Sequence, residues 1–258
     1  MLNKAVLEKK LPSVHVITKE ITGSTNSDAK ELVSSSPTDI LITAETQTGG
    51  RGRQGKSFSS PSGGLYMTLL LKCDMPVTSA VGATSCAAVA VVRALKKTCG
   101  LDCGIKWVND IYADGKKLCG ILTEAVNDYT VGITKYLIIG IGMNISSAPI
   151  LKPSPSQPLP AECTCLSALG VNAKREEICS DIVRELLEMR SSNFSFDMVS
   201  AEYTAHSVVI GKEISFTKNG ETKYGTALGI NEHGGLIVDS MGNIVLLDSG
   251  EISVRTRG

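Results

Sequence analysis

Along this chain the apolar positions fall mostly into short runs of strand length, broken by polar and glycine-rich stretches, and only a few segments carry helical spacing. Residues 14–17 are the first strand candidate, and Ser24-Thr25-Asn26 then opens a short helix through Leu32 whose free amides a hydroxyl can cap. Residues 40–44 and 65–71 read as the next two strands. Between them 48–64 is rich in glycine and arginine and has no period, and a long irregular loop of that kind is seldom kept for structure alone. Small and apolar residues dominate 79–97, with Arg93, Lys96 and Lys97 in the last turns and Gly100 just beyond, the charge and stop pattern of a buried helix. Lys106-Trp107, 118–124 and 136–141 follow as strands of an antiparallel meander, with Asp114-Gly115 and Asn127-Asp128 as its turns.

The stretch 147–160 holds five of the chain's nine prolines and reads as an extended surface loop. Asn172 is expected to cap a helix through Arg190, with Ile178, Ile182, Val183, Leu186 and Leu187 on one face, and a second helix is expected over 194–204. After Ser207 the pattern changes to short strands at 208–216, 223–230, 236–238, 244–247 and 251–254, punctuated by Asn219-Gly220, His233-Gly234-Gly235 and Met241-Gly242-Asn243. Five short strands in so small a segment suggest a small barrel, which divides the chain into 1–207 and 208–258. No internal repeat is visible.

Composition narrows the partners. Lys+Arg and Asp+Glu balance at 26 each, so no global field draws in nucleic acid or an anionic membrane. The N-terminus mixes Lys4, Glu8, Lys9 and Lys10 among its apolar residues and carries no secretory signal. Apolar runs such as 136–141 are far short of the roughly 20 residues of a membrane span, and a soluble cytoplasmic protein is the expectation. Eight cysteines in 258 residues are too few for a disulfide scaffold. Cys99/Cys103 and Cys163/Cys165 lack the CxxC spacing of a zinc site, and His15, His206 and His233 are scattered.

Three segments carry candidate chemistry. Residues 50–57, Gly-Arg-Gly-Arg-Gln-Gly-Lys-Ser, satisfy the phosphate-loop pattern G-x-x-x-x-G-K-S, but polar 45–48 separate them from the preceding strand and 58–64 lead into another strand instead of a helix. What the loop does offer is glycines that let the backbone approach an anion and the fixed charges Arg51, Arg53 and Lys56. Taken alone, it also reads as a solvated basic loop. The second segment is Lys106-Trp107-Val108-Asn109-Asp110 with Lys117 and Gly120. A hairpin would bring Lys117 beside the Asn-Asp pair, and partial desolvation would strengthen its hold on a carboxylate or phosphate. Lys117 reads equally as a snorkelling strand-end lysine, and Trp107 as core packing. Third, Gly140-Ile141-Gly142-Met143-Asn144 ends a strand with room for close ligand approach and an amide that can both donate and accept. A simple turn explains that segment as well.

Taken in order, Gly23-Ser24-Thr25-Asn26, 45–56, 106–110 with Lys117-Leu118-Cys119-Gly120-Ile121-Leu122, and 140–144 closely resemble the signature motifs of biotin protein ligases. The resemblance spans roughly 14–144, while the loop ending at Thr164-Cys165-Leu166 fits the pattern less well. It implies an α+β fold: a central mixed β-sheet flanked by helices, like that of class II aminoacyl-tRNA synthetases, plus a small C-terminal SH3-like β-barrel. It also implies an ATP- and Mg²⁺-dependent enzyme that converts biotin to biotinyl-5'-AMP and passes the biotinyl group to a lysine of a biotin carboxyl carrier domain. Ser24, Thr25, Asn26, Gln47, Gly50, Arg51, Gly52 and Arg53 would surround the polar end of biotin, with Gly120 and Leu122 also in the biotin site and Lys117 holding the biotin carboxylate against the α-phosphate. Arg53, Lys56, Phe58, Asn109, Asp110 and Asn144 would serve the nucleotide, with Asp110 and the ATP phosphates holding magnesium and Lys117 and Arg53 as the catalytic pair. A lipoate or octanoate ligase of the same superfamily and a non-catalytic biotin sensor are the alternative readings. Val108 stands where the family usually has proline, which would loosen the turn before Asn109. Larger members carry an N-terminal helix-turn-helix domain, and a chain that begins this near the catalytic core is not expected to be a repressor. No motif decides between a monomer and a homodimer.

Overall fold

The computed structural model describes residues 1–35, 38–149, 162–218, 221–248 and 254–256. The apolar runs become seven strands, β1 (His15–Thr22), β2 (Ile40–Gln47), β3 (Leu65–Pro76), β4 (Gly104–Lys106), β5 (Asp110–Ala113), β6 (Lys116–Asp128) and β7 (Ile133–Met143). They form one mixed sheet in the order β1-β2-β3-β7-β6-β5-β4, with β1 and β2 parallel and every other pair antiparallel. The middle of β3 and β7 is uninterrupted hydrocarbon because both faces are covered: Leu69, Leu70 and Leu71 are fully buried, as are Leu137, Ile138 and Ile139.

One face packs on α3 (Ala83–Cys99) and α4 (Arg175–Arg190), and the other on α2 (Thr25–Leu32), where Ala29, Ile40, Ile42, Leu70 and Ile138 form a smaller cluster. Alanines at 83, 87, 88, 90 and 94 of α3 let that helix lie close to its neighbours. Its end is set by Gly100 at φ 66, whose N–H reaches the carbonyls of Leu95 and Lys96. By length and composition Val77–Cys99 would pass for a membrane span, a case that the strand-length runs do not cover. With 61% of its most apolar window buried, it is a core helix. Arg93 clamps three helices together, binding Glu185 of α4 and Glu202 of α5 (Ser200–Ala205).

Several elements depart from the sequence reading, each for a local reason. Asp110–Ala113 is a further strand, too short and too polar at its start to register as an apolar run, so the meander has four strands. Asn127 and Asp128 belong to β6, and the turn follows at 129–132. Ser24 precedes α2 but makes no side-chain cap bond. The fourth helix starts at Arg175 after Lys174, not at an Asn172 cap, with Glu176 and Glu177 placed against the helix dipole. The segment 194–204 divides into a 3-10 turn (Phe196–Met198) and α5 where Val199 leaves helical backbone at φ -123. The N-terminal helix α1 (Lys4–Lys10), capped by the Asn3 side chain, was hidden by its lysines.

Beyond Ser207 come β8 (Glu213–Lys218), β9 (Glu221–Ile230), β10 (Leu236–Ser240), β11 (Asn243–Leu247) and β12 (Val254–Thr256), one antiparallel sheet in the order β11-β10-β9-β8-β12. Ile214, Phe216, Ala227, Leu236, Val238 and Leu247 fill its inner side. The expected turn Asn219-Gly220, residues 251–253 and most of the proline-rich stretch lie outside the described residues. The sheet is tied back to the larger one: the Ile105 N–H donates to His206 O at 2.7 Å and the Val208 N–H to Ile105 O at 3.0 Å. The indole N–H of Trp107, buried as expected for a packing residue, donates to Gly234 O at 3.0 Å.

Glu45, at the end of β2, anchors the exit of the 48–64 loop. It accepts from the Ser62 hydroxyl at 2.6 Å and the Gly63 N–H at 3.0 Å, and pairs with Arg175 at 3.0 Å and the N-terminal amine at 2.7 Å. Burial alone would raise its pKa; these partners more than offset that and bring it from 4.5 to about 2. Because the folded value is the lower one, the contribution is fully present above the unfolded pKa and is lost as pH falls through the folded one. Glu45→Gln is therefore expected to lose about 2 kcal/mol at neutral pH. Urea titrations of both proteins should show the gap narrowing steadily below about pH 4.

Candidate active site

The N-terminal turn of α2 meets the far end of β2, and side chains from four elements share one polar floor there. Ser24, Thr25 and Asn26 are buried. Gln47 Oε1 accepts the Thr25 N–H at 2.9 Å and lies 3.2 Å from the Thr25 hydroxyl, which explains why a serine cap is dispensable. The Gln47 amide group donates to Ser60 Oγ at 2.8 Å, tying the floor to the loop above it. Asn26 sits over Gly140, where any Cβ would come within 2.0 Å of its oxygen.

The basic loop folds as a small hairpin closed by Gly52 N–H to Lys56 O at 2.7 Å and Phe58 N–H to Gly50 O at 2.8 Å. Gln54 at φ 56 and Gly55 at φ 70 form its tip, and the next element is β3, so no helix dipole backs the phosphate-loop pattern. The crossing at Gly50 demands glycine, since a Cβ there would lie 2.3 Å from Phe58 O. The hairpin lays the Phe58 ring over Gly142 and Gly120, which face each other across β6 and β7; a Cβ on Gly142 would meet the ring at 2.4 Å. Tyr66 meets the same ring edge-on at 6.5 Å.

The predicted hairpin β5–β6 brings the charged groups together. Lys117 Nζ lies 2.7 Å from Asp110 Oδ1, and Arg53 reaches across from the loop to donate to Asn109 Oδ1 at 3.1 Å. Asn109 is itself fixed to β6, its amide donating to Ile121 O at 2.8 Å and its carbonyl accepting the Ile121 N–H at 3.0 Å. Burial lowers the Arg53 pKa, and the nearby Asp110 carboxylate works in the opposite direction. Lys117 and Arg53 are thus brought to neighbouring residues, while Arg51 and Lys56 are exposed on the hairpin. Residues 162–164 run beside Lys117, with Lys117 N–H to Glu162 O at 2.8 Å and Thr164 N–H to Lys117 O at 2.9 Å. Asn144 joins them by donating to Thr164 O at 3.0 Å. Phe58, Lys117, Asn144 and Cys163 line the resulting cleft.

A profile described as "Biotin/lipoate A/B protein ligase family" matches residues 16–144, and one described as "Biotin protein ligase C terminal domain" matches 209–255. The bifunctional ligase/repressor BirA of Bacillus subtilis is 32% identical over 256 residues, covering 96% of this chain and 76% of its own. The chain belongs to the biotin protein ligase family. Another relative of this ligase family, the biotin--[acetyl-CoA-carboxylase] ligase of Mycobacterium tuberculosis, is 29% identical over 244 residues, covering 90% of this chain and 85% of its own. Among solved structures, the biotin protein ligase of Leishmania major in complex with biotinyl-5-AMP aligns at a TM-score of 0.56 and 26% identity, over 92% of this chain and 99% of that one.

Within this ligase fold, sequence reasoning missed three polar residues of the floor. Thr68 is fully buried between Thr25 Oγ1 at 2.8 Å and Asn26 Oδ1 at 2.7 Å. Ser60 carries the Gln47 contact onward to Phe58 O at 3.1 Å. Glu124 receives Asn26 Nδ2 at 3.1 Å. The available signal was a threonine inside the otherwise apolar run 65–71 and an acid following 118–123; both have a polar residue where burial is expected.

Proposed function

We propose that this chain activates biotin with ATP to biotinyl-5'-AMP and transfers the biotinyl group to a lysine of a biotin carboxyl carrier domain. The carrying observation is the placement of Lys117 on Asp110 and Arg53 on Asn109 beside the Thr25–Gln47 floor. A carboxylate oxygen of biotin attacks the α-phosphorus, pyrophosphate leaves, and a mixed anhydride forms; the acceptor amine then attacks its carbonyl carbon and AMP leaves. Bringing two anions together is chiefly a matter of positioning and charge neutralisation, which fixed cations supply.

In this reading Ser24, Thr25, Gln47 and the backbone of 50–53 take the polar rings, with Asn26 beside them, and Gly120 and Leu122 flank the valeryl chain. Lys117 holds the biotin carboxylate against the α-phosphate. Phe58 packs on the ligand, and Arg53, Lys56, Asn109, Asp110 and Asn144 serve the adenylate. Among the described residues no three Cys, His, Asp or Glu side chains gather as a metal-ligand set. A magnesium ion bound by Asp110 and phosphate oxygens fits that donor set, because this ion keeps waters and usually takes only one or two carboxylates. Bound there, it would neutralise the phosphates.

We place the catalytic unit at 1–207 and the C-terminal unit at 208–258. The eight cysteines are free thiols, and a cytoplasmic location goes with this reading. The polar floor favours biotin over the aliphatic chain of lipoate or octanoate. Incubation with biotin, MgATP and a carrier domain should add one biotinyl group per acceptor by mass spectrometry. An acceptor mass that stays unchanged, or that rises only when lipoate or octanoate is supplied, would overturn the reading.

A further inference from the structure

We propose that Glu124, held by Lys30, is a positioning residue for the polar end of the ligand: through Asn26 and Thr68 it sets which way the hydrogen bonds of Thr25 and Gln47 point. The inference rests on the reading that biotin's ureido ring binds at Thr25 and Gln47. It assigns Asn26 a role other than direct ligand contact by its amide protons.

A single polar chain runs from the surface to the floor. Lys30 Nζ lies 2.7 Å from Glu124 Oε1, and Asn26 Nδ2 donates to Glu124 Oε2 at 3.1 Å and to Leu122 O at 3.3 Å, which commits both of its protons. An ionised carboxylate only accepts, so the Asn26 amide cannot turn over without placing two oxygens against each other. Its Oδ1 therefore faces the buried Thr68 hydroxyl at 2.7 Å, and the bare backbone of Gly140 leaves the carboxamide just the space it occupies.

Thr68 has one proton. With that proton on Asn26, the Thr68 oxygen can accept from Thr25 Oγ1 at 2.8 Å, and Gln47 Oε1, already held by the Thr25 N–H at 2.9 Å, keeps a lone pair for an incoming N–H. Were the Asn26 amide reversed, Thr68 would donate to Thr25, Thr25 would donate to Gln47 at 3.2 Å, and that acceptor would be consumed. A ureido group presents two N–H donors and needs such acceptors. The ion pair at the end of the chain, acting with the longer bond to the Leu122 carbonyl, thus selects the arrangement that can receive them.

The test uses the full chain and the biotin-dependent exchange of pyrophosphate into ATP. Glu124→Ala and Thr68→Val should each raise the biotin KM about tenfold, with kcat and the ATP KM within about twofold of wild type. Glu124→Gln, which keeps an acceptor toward Asn26, should recover most of the loss. Thr25→Val separates the two levels of the argument. If Thr25→Val raises the biotin KM while Glu124→Ala and Thr68→Val leave it at the wild-type value, the positioning role is wrong and the site stands. If all three leave it unchanged, the ring is bound elsewhere and both fail. Equal losses in kcat and both KM values for Glu124→Ala would show a merely structural part and also sink the proposal.

Discussion

Lys117→Ala is expected to slow biotin-dependent pyrophosphate release by about 10² to 10³, the usual cost of removing one charge-stabilising donor from a preorganised site. The side chain stands at the start of β6, paired with Asp110 at 2.7 Å, and its backbone is held by the segment 162–164, so the ammonium is oriented before the substrate arrives. Incoming carboxylate and phosphate oxygens can take the place of Asp110 on this ammonium or share it. Removing Lys117 also deprives Asp110 of its ion-pair partner beside two anionic substrates, leaving the proposed magnesium ion as its counter-charge. Biotin binding measured without ATP should fall much less than the rate. Pyrophosphate released at the wild-type rate would exclude the role.

For Arg53→Gly the larger effect is expected on retention of the intermediate. Arg53 spans from the basic hairpin to Asn109 at 3.1 Å and so ties the loop tip to the residue that precedes β5. With Gly52 on one side and Gln54 and Gly55 at positive φ on the other, the tip is built to move once that bond is lost. The variant should still form biotinyl-5'-AMP but release it about tenfold or more faster, with hydrolysis or nonspecific amine labelling in place of carrier transfer. Chase experiments on the preformed intermediate read this directly. A half-life equal to that of the wild type would contradict it.

Much of the sheet was legible because strands buried on both faces leave no alternation to misread. Residues 65–71 and 136–141 could hardly be anything else. The α3 helix declared itself through its alanines, its terminal lysines and Gly100. Gly50, Gly140 and Gly142 are places of close approach, and the groups that approach them in the folded chain are Phe58 and Asn26. Elements whose identity depends on distant partners were not legible. The α1 helix is short and reads as a charged tail until Leu7 and Leu11 are seen to be buried. Thr68 looks like an ordinary strand residue, and only the side chains from residues 25 and 26 give its hydroxyl a purpose. Arg51 and Lys56 show a different limit: their sequence neighbourhood to Arg53 does not reveal that the hairpin leaves both exposed while Arg53 reaches Asn109.

The bond from the Trp107 indole to Gly234 carries an implication for how the two halves of the molecule depend on each other. Trp107 lies two positions before Asn109 and three before Asp110, so the residues proposed to greet the nucleotide hang from a beam whose other end rests on the smaller sheet. Shifts in that sheet would tilt the beam. Loss of the smaller sheet would leave the Trp107 indole without this acceptor, so the segment leading to Asn109 and Asp110 depends on the C-terminal module for one of its supports.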